Sequence, residues 1–317
     1  MKYARVFNFF VLILGISVWG AAAADPLLAQ DEPRCEIRLP NEKDSIRFAV
    51  AGDAGTGGSK QRDVARQMTL CHAVFPFEFV LMPGDNLYGS EKPKDYRTKF
   101  EEPFADLLKA EVKFYAALGN HDNPEQRFYK NFNMEGERYY SFEKGPVQFV
   151  ALDSTYMSPE QLEWAEKELR GSNKKWKIVF FHHPIYSSGG RHGSDLELRK
   201  VLEPLFVQYG VDVVIAGHEH FYERIRPQKE ITYFTSGAAG KLRKGNVEKT
   251  DLTAASFDTD RSFMLIEVTG DTLHFQSVSR TGQTVDSGTV TAREAERPKA
   301  ADAKPTGSNR EKRGENP

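Results

Sequence analysis

Five loop segments of this sequence carry the side chains that could do chemistry, and each follows a short apolar run. In chain order they hold Asp53, Asp85 with Tyr88, Asn120, His182, and His218 with His220. Carboxylate, phenol, amide and imidazole groups together suit a transition metal, whereas calcium and magnesium favour oxygen ligands with few histidines. One such motif alone ordinarily reflects only the residue preferences of a turn, but five in succession predict a metal site.

The apolar runs before these loops predict β-strands that are covered on both faces, because hydrophobic residues fill them without alternation. The predicted strands are 46–51, 79–82, 114–118, 147–152, 178–181, 213–216 and 231–235. In an open α/β sheet the carboxyl ends of neighbouring strands lie side by side, and ligands bind just beyond them. Ligand side chains that are distant in the sequence would therefore converge at that edge.

Amphipathic patterns between the strands predict helices, and the last part of the chain predicts antiparallel strands. The helices are 60–73, 95–108 and 160–169, with a further helical pattern over 196–206, and the late strands are 263–268, 272–279 and 283–290. We expect a layered α/β fold in which helices flank either one mixed β-sheet or two stacked sheets.

The two ends of the chain differ in composition from the middle. A basic start, an apolar run and a run of alanines predict a signal peptide over residues 1–24, with an uncleaved membrane anchor as the alternative. A polar lead-in over 25–44 precedes the predicted catalytic domain, 45–290, and the polar tail over 291–317 is expected to be disordered. We therefore expect an exported protein, periplasmic or secreted, with no stable membrane association after signal cleavage.

Charge and cysteine content limit the partners and the compartment. The formal net charge of −2 argues against a general attraction to nucleic acid. The sequence gives no indication of the oligomeric state. The only two cysteines are Cys35 and Cys71. Export would allow them to form a disulfide, and two free or buried thiols are the equal alternative.

The five motifs together resemble those of the purple acid phosphatases, which belong to the calcineurin-like dimetal phosphoesterases. In order the motifs are Asp-x-Gly, Gly-Asp-x-x-Tyr, Gly-Asn-His-Asp, Val-x-x-His and Gly-His-x-His, between about residues 46 and 237. The resemblance implies a domain of layered mixed sheets flanked by helices, with two metal ions. It assigns Asp53, Tyr88 and His220 to one ion, Asn120, His182 and His218 to the other, and Asp85 to both as a bridge.

Tyr88 indicates which family within that superfamily the sequence resembles. Many other members have a histidine two residues after the first aspartate, where this sequence has Gly55. The first ion would lack a ligand there unless Tyr88 provides it. A tyrosinate favours ferric iron, so we expect ferric iron paired with a divalent iron, zinc or manganese ion. Such a centre would absorb visible light through charge transfer.

The resemblance implies an acid phosphatase that hydrolyses small phosphate monoesters through a metal-bound hydroxide. His121 and His192 would be the catalytic acids that contact the phosphate or the leaving group, and Asp122 would orient His121. We expect Glu219 to be a solvated spacer, and His183 either to line the pocket or to pack beside it. The alternatives are a nucleotidase or phosphodiesterase with manganese or zinc on the same fold, and, in another class, a binding protein with an inactive site.

Overall fold

The computed structural model describes Met1 and residues 35–293. The predicted signal segment beyond Met1, the first part of the predicted lead-in and nearly all of the predicted tail lie outside the described residues. Within the described part, no helix is both long enough and apolar enough to cross a membrane. The domain boundaries at residues 24, 44 and 290 stay predictions.

Between residues 35 and 293 the chain forms thirteen strands and five α-helices. The strands are β1 (Ile46–Val50), β2 (Phe79–Pro83), β3 (Lys113–Ala117), β4 (Tyr140–Lys144), β5 (Val147–Ala151), β6 (Trp176–Phe181), β7 (Val213–Ala216), β8 (Tyr222–Gln228), β9 (Ile231–Ser236), β10 (Thr253–Phe257), β11 (Ser262–Thr269), β12 (Thr272–Ser279) and β13 (Thr284–Thr291). The helices are α1 (Ser59–Val74), α2 (Pro93–Tyr96), α3 (Ala105–Lys109), α4 (Pro159–Gly171) and α5 (Leu196–Gln208).

The strands pair into two mixed sheets. One has the order β13-β12-β11-β1-β2-β3, and the other has the order β10-β8-β9-β7-β6-β5-β4. Strands β1, β2 and β3 run parallel in the first sheet, as do β5, β6, β7 and β9 in the second. The predicted α/β fold with layered mixed sheets is confirmed, and two sheets are present rather than one.

The two sheets pack face to face through a shared apolar core. Phe48 on β1 stacks on Phe79 of β2 with ring centroids 5.1 Å apart, and Phe149 on β5 in the other sheet meets Phe48 edge-on at 5.3 Å. A second buried cluster joins the outer face of the first sheet to α1, and a third joins the outer face of the second sheet to α4 and α5. Each fully buried large side chain contributes about 1.5–3 kcal/mol to this packing, which fixes the strand ends where the candidate ligands lie.

Two features differ from the sequence-based expectation. The continuous helix predicted over 95–108 is wrong, because α2 and α3 are separated by a π-helical turn, Arg97–Glu101, and a short connection. Pro103 in that connection has no backbone N–H and clashes with a continuing helix, so the α-helical hydrogen bonds are interrupted there. Strands β4, β8 and β10 were not predicted, because each contains partly exposed residues instead of a continuous apolar run.

Cys35 and Cys71 form a disulfide, with their Cα atoms 4.9 Å apart. Cys71 lies within α1, so the bond ties the first described residues to a helix of the core. The alternative of two unpaired thiols is thereby excluded. A disulfide of this kind is typical of proteins that fold in an oxidising compartment.

Candidate metal centre

The loops that follow β1, β2, β3, β6 and β7 meet at one edge of the molecule. Asp53 Oδ1, from the first sheet, lies 3.2 Å from His220 Nε2 of the second. Asp85 Oδ1, also from the first sheet, lies 3.3 Å from His182 Nε2 of the second. Both aspartates and His182 are almost completely buried. The parallel strand ends of the two sheets therefore bring side chains together that are far apart in the sequence.

One cluster in this edge contains Asp53, Tyr88, Asp85 and His220. The phenolic oxygen of Tyr88 lies 2.9 Å from Asp53 Oδ1 and 3.2 Å from His220 Nε2. Potential ligand atoms of Asp53, Asp85 and His220 all lie within 4.8 Å of one another. Two carboxylates, a phenol and an imidazole thus face one small volume, which is a donor set for a hard, highly charged transition metal ion.

A second cluster contains Asn120, His182 and His218. The side-chain oxygen of Asn120 lies 3.0 Å from His182 Nε2 and 3.0 Å from His218 Nδ1. Those two ring nitrogens are 3.2 Å apart. Asp85 belongs to both clusters, because its Oδ1 reaches His182 while its carboxylate also faces Asp53 and His220. The arrangement therefore contains two adjacent donor sets with a carboxylate between them.

Hydrogen bonds from outside the clusters orient the donors. The Nδ1 of His182 lies 2.9 Å from the carbonyl oxygen of Pro83, and because a carbonyl only accepts, Nδ1 carries the proton. The lone pair of His182 Nε2 consequently faces the second cluster, as a metal ligand requires. Asp53 Oδ2 accepts from the backbone N–H of His218, and Asp85 Oδ1 accepts from the backbone N–H of His121. The ligand loops thus hold one another in place.

Three of the candidate ligands have backbone conformations that non-glycine residues rarely adopt. Their φ angles are +54° at Asp53, +52° at Asp85 and +66° at His218. Such conformations cost of order 1–3 kcal/mol each and persist where the surrounding structure enforces them, often at functional sites. The loops around them are tightly packed, since a Cβ on Gly119 would lie 2.3 Å from Asp85 Oδ1 and one on Gly84 would lie 2.5 Å from His182 Nδ1.

The electrostatics favour the protonated forms of Asp53 and Tyr88 and the neutral forms of the three imidazoles. Burial, followed by the charge of Asp85, raises the pKa of Asp53 well above its usual value. Burial and, to a smaller extent, the negative charges of Asp53 and Asp85 also raise the pKa of Tyr88. Burial lowers the pKa of His182, and it lowers the pKa of His218 to about 2 and that of His220 to about 4. A pocket that disfavours this much negative charge is one that a cation would stabilise.

The two predicted acids, His121 and His192, each lie beside one of the clusters. The ring of His121 is 5.0 Å from the ring of Tyr88, and the ring of His192 is 4.4 Å from the ring of His218. Both residues are exposed to solvent. The structure therefore brings both imidazoles beside the donor sets and leaves them open to a bound molecule.

His183 lies at the pocket, with its ring 5.0 Å from that of His182 and 4.5 Å from that of His218. Its Nδ1 lies 2.9 Å from Ser154 Oγ. That oxygen already accepts the backbone N–H groups of His182 and His183, so its own hydroxyl proton is donated to Nδ1. The neutral imidazole then carries its proton on Nε2 and can donate a hydrogen bond from there. Potential ligand atoms of His182, His183 and His218 also lie within 4.8 Å of one another.

Asp122 does not orient His121, contrary to the expectation from sequence. Its carboxylate accepts the backbone N–H groups of Asn86, Leu87 and Gly119, together with the side-chain amides of Asn86 and Gln126. Five donors from three segments converge on this one side chain. Burial, followed by the charge of Asp85, raises the pKa of Asp122 to about 8. Asp122 therefore joins the loops that carry Asp85, Tyr88 and Asn120.

Glu219 is not a solvated spacer, although it lies between two histidines of an irregular turn. Its side chain is completely buried. The carboxylate accepts backbone N–H groups from His192 and Gly193 and is paired with Arg243 at 3.1 Å. Sequence reasoning missed this residue because its partners lie in loops without periodic patterns. A buried acid needs such partners, so the burial of Glu219 implies a specific role.

The two stacked mixed sheets, with carboxylates and imidazoles gathered at their carboxyl edge, define a metal-dependent hydrolase class of α/β protein. Residues 46–222 match the calcineurin-like phosphoesterase family model, and the chain belongs to that family. The chain is therefore an enzyme of the metal-dependent phosphoesterase class, as predicted. A dinuclear metal site is a property of this family, and the two donor clusters fit it.

Individual relatives agree with the family assignment. The chain is 28% identical over 240 residues to purple acid phosphatase 17 of Arabidopsis thaliana, covering 64% of this chain and 71% of the relative. Among solved structures, GAP50, the anchor in the inner membrane complex of Plasmodium, gives a TM-score of 0.69 at 20% identity, covering 80% of this chain and 91% of the other. Purple acid phosphatase PPD1 from yellow lupin (Lupinus luteus) seeds gives 0.65 at 20% identity, covering 80% and 55%. The sequence relatives confirm the resemblance to purple acid phosphatases, and the structures confirm the fold.

Proposed function

We propose that this protein is an acid phosphatase that hydrolyses phosphate monoesters at a dinuclear metal site. The observation that carries the proposal is the position of Tyr88, whose phenolic oxygen lies within 3.2 Å of both Asp53 Oδ1 and His220 Nε2. Gly55 offers no ligand at the position where other members of the superfamily have a histidine. Tyr88 is then the group that completes the first donor set.

The proposed ligands divide between two ions. Asp53, Tyr88 and His220 would hold one ion, Asn120, His182 and His218 would hold the other, and Asp85 would bridge them. Short distances within each set support this division, as does the shared position of the Asp85 carboxylate. The proton on His182 Nδ1 supports it further, because it leaves Nε2 free to coordinate.

We propose ferric iron for the ion beside Tyr88 and a divalent iron, zinc or manganese ion for the other. Burial raises the pKa of Tyr88, which favours a strongly acidic cation at this position, and ferric iron is such a cation. When bound, the two ions would neutralise the phosphoryl oxygens and lower the pKa of a water near the phosphorus. An acidic pH optimum is expected for this pair.

The remaining chemistry would fall to the exposed imidazoles. His121 lies beside the first donor set and His192 beside the second. Each could donate a proton to the oxygen of the departing alcohol or a hydrogen bond to a phosphoryl oxygen. His183, with its proton on Nε2, could donate a hydrogen bond to the same group. Small phosphorylated molecules are the proposed substrates.

The decisive experiment combines a visible spectrum, a metal analysis and a pair of substrates. Purified protein should contain about two metal ions per chain, including iron, and should show a visible charge-transfer band that Tyr88→Phe removes. It should hydrolyse p-nitrophenyl phosphate faster than bis-p-nitrophenyl phosphate, and Asp85→Asn should lower the rate more than about 100-fold. His274→Ala, which changes a histidine on β12, is the matched control and should keep metal and activity.

Each alternative has its own outcome in the same experiment. Preference for the diester would favour a phosphodiesterase, and a preference for nucleoside monophosphates would favour a nucleotidase. Bound metal without a visible band, together with a Tyr88→Phe variant that behaves like the wild type, would refute the ferric assignment. Metal-loaded protein that hydrolyses no ester in a broad panel would favour the binding protein.

We also propose that the protein is exported, to the periplasm or the medium. The disulfide between Cys35 and Cys71 supports an oxidising compartment. Sequencing the N-terminus of protein from a fractionated culture tests this, and a mature start after residue 24 is expected. Full-length protein recovered with its cysteines reduced from the cytoplasm would contradict it.

A further inference from the structure

His192 lies on an irregular loop that forms few regular hydrogen bonds. The loop contacts a second irregular segment, where the backbone N–H of Gly190 donates to Asn246 O at 2.8 Å and that of Glu248 donates to Ser188 O at 2.8 Å. Between these contacts Gly189 and Val247 form a single isolated antiparallel bridge, and the loop has no helix or longer strand of its own. The position of the exposed His192 ring therefore depends on what anchors the loop from below.

The anchor nearest His192 is the carboxylate of Glu219, which is completely buried. Its Oε1 accepts the backbone N–H groups of His192 at 3.2 Å and Gly193 at 2.8 Å. Its Oε2 accepts from Arg243 Nη1 at 3.1 Å and from Asn246 Nδ2 at 3.2 Å. One charged side chain thus satisfies four donors from two loops, and charge-assisted bonds of this kind are the stronger ones.

The packing around this carboxylate leaves it little freedom. A Cβ on Gly189 would lie 2.4 Å from Glu219 Oε1 and 2.5 Å from its carboxyl carbon. Only glycine therefore allows the His192 loop to approach the carboxylate this closely. Arg243 is itself fixed, because its backbone N–H donates to the carbonyl oxygen of His220 at 2.9 Å. The side chain of Glu219 can hardly move without moving the loop.

Glu219 also lies between His218 and His220, two of the proposed metal ligands. The same turn therefore carries two proposed metal ligands and, between them, the carboxylate that contacts the His192 loop. The ring of His192 is 4.4 Å from that of His218, so a shift of the loop changes the distance from His192 to the pocket directly. A displacement of about 1 Å of a catalytic group can cost about 100-fold in rate.

We propose that Glu219 is a positioning residue that fixes the His192 imidazole beside the proposed metal ligands. The inference rests on the proposed function, because it assumes that His192 donates a proton to the departing alcohol. Replacing the carboxylate by an amide, in Glu219→Gln, puts an NH₂ group against N–H donors on one side. The loop should then shift, and His192 should protonate the leaving group less effectively.

The expected signature lies in the dependence of rate on the leaving group. Poor leaving groups such as alkyl alcohols need protonation, whereas p-nitrophenolate leaves readily without it. Glu219→Gln should lower kcat for an alkyl phosphate about 10–100-fold and lower it for p-nitrophenyl phosphate much less. Metal content should remain at the wild-type value. In a His192→Ala background, Glu219→Gln should add nothing further.

Glu223 offers a matched control four residues along the chain. It is also completely buried, and it accepts from Ser188 N at 2.9 Å, Ser187 Oγ at 3.2 Å and Thr253 Oγ1 at 2.9 Å. It supports the same loop without contacting His192 or Gly193. Glu223→Gln should leave the ratio of the alkyl to the aryl rate unchanged, whatever it does to stability.

The outcomes separate the inference from the function on which it rests. If His192→Ala leaves the leaving-group dependence unchanged, the proposed role of His192 fails, and the inference fails with it. If His192→Ala changes that dependence and Glu219→Gln does not, or if Glu219→Gln and Glu223→Gln act alike, the inference alone is overturned. Should Glu219→Gln not fold, Gly189→Ala displaces the same carboxylate by steric contact. It must then give the same signature, and a wild-type ratio would overturn the inference.

Discussion

Loading the site with metal should release about one more proton from the wild-type protein than from Tyr88→Phe. In the metal-free protein burial raises the pKa of both Asp53 and Tyr88, and the Tyr88 phenol therefore carries its proton near neutral pH. Burial lowers the pKa of His218 to about 2 and that of His220 to about 4, so these imidazoles are already neutral. Under the proposed assignment the ion displaces the Tyr88 proton in the wild type, and Tyr88→Phe has no such proton to release.

The size of the effect follows from linkage. The number of protons released on binding equals the slope of the logarithm of metal affinity against pH. A raised pKa means that the proton competes with the metal up to that pKa, so affinity rises with pH and is lost as pH falls. Between about pH 5 and pH 7 the slope should be smaller by about one for Tyr88→Phe. Each pH unit then brings a tenfold smaller gain in affinity.

A pH indicator in weakly buffered solution measures this difference directly. Both proteins receive the same metal chelates, so protons from the chelate cancel in the comparison. Tyr233→Phe is the control, because Tyr233 is buried with a raised pKa but packs against Tyr186 on the helix side of the second sheet. It should release as many protons as the wild type. Equal numbers from the wild type and Tyr88→Phe would refute the reasoning that the phenol becomes a ligand.

Three further predictions concern the surroundings of the site. Asp122→Ala should lower the free energy of unfolding by about 3 kcal/mol and weaken metal binding, because five N–H donors lose their acceptor. Asp260→Ala, at a partly exposed ion pair, is the control. Similar shifts in melting temperature for the two variants would contradict this prediction. Replacing Cys35 and Cys71 together by serine should cost about 4 kcal/mol, as expected for a link spanning 36 residues, and a denaturant midpoint equal to that of the wild type would disprove it. His183→Phe should keep both ions in a metal analysis, because its Nδ1 accepts a serine hydroxyl, whereas loss of one ion would identify His183 as a ligand.

The strands and the convergence of the ligand loops follow from simple patterns in the sequence. Fully buried parallel strands require continuous apolar runs, and the chain that leaves them must turn, so a glycine beside Asp53, Asp85 and His218 marks each strand end. The positive φ angles at these three residues were not predictable in the same way. They result from close contacts between loops that belong to different strands.

The supporting residues could not be predicted because their partners are remote and irregular. Glu219 is 24 to 27 residues from Arg243, Asn246 and His192, and a charged residue between two histidines resembles a solvated one. Because Asp122 follows His121 directly, the sequence suggested that its carboxylate contacts that imidazole. In the folded chain the carboxylate faces other donors instead. The disulfide required coordinates as well, because sequence does not give the distance between two cysteines.

Each proposed ion would take ligands from both sheets, since Asp53, Tyr88 and Asn120 follow strands of the six-stranded sheet while His182, His218 and His220 follow strands of the seven-stranded one. Occupancy should therefore determine whether the sheets open separately. In the loaded protein we expect slow amide hydrogen exchange at a common rate in β2 and β6, through a single cooperative opening. After the ions are removed, the two sheets should exchange independently, and the less stable half of the molecule would become the first target of a protease.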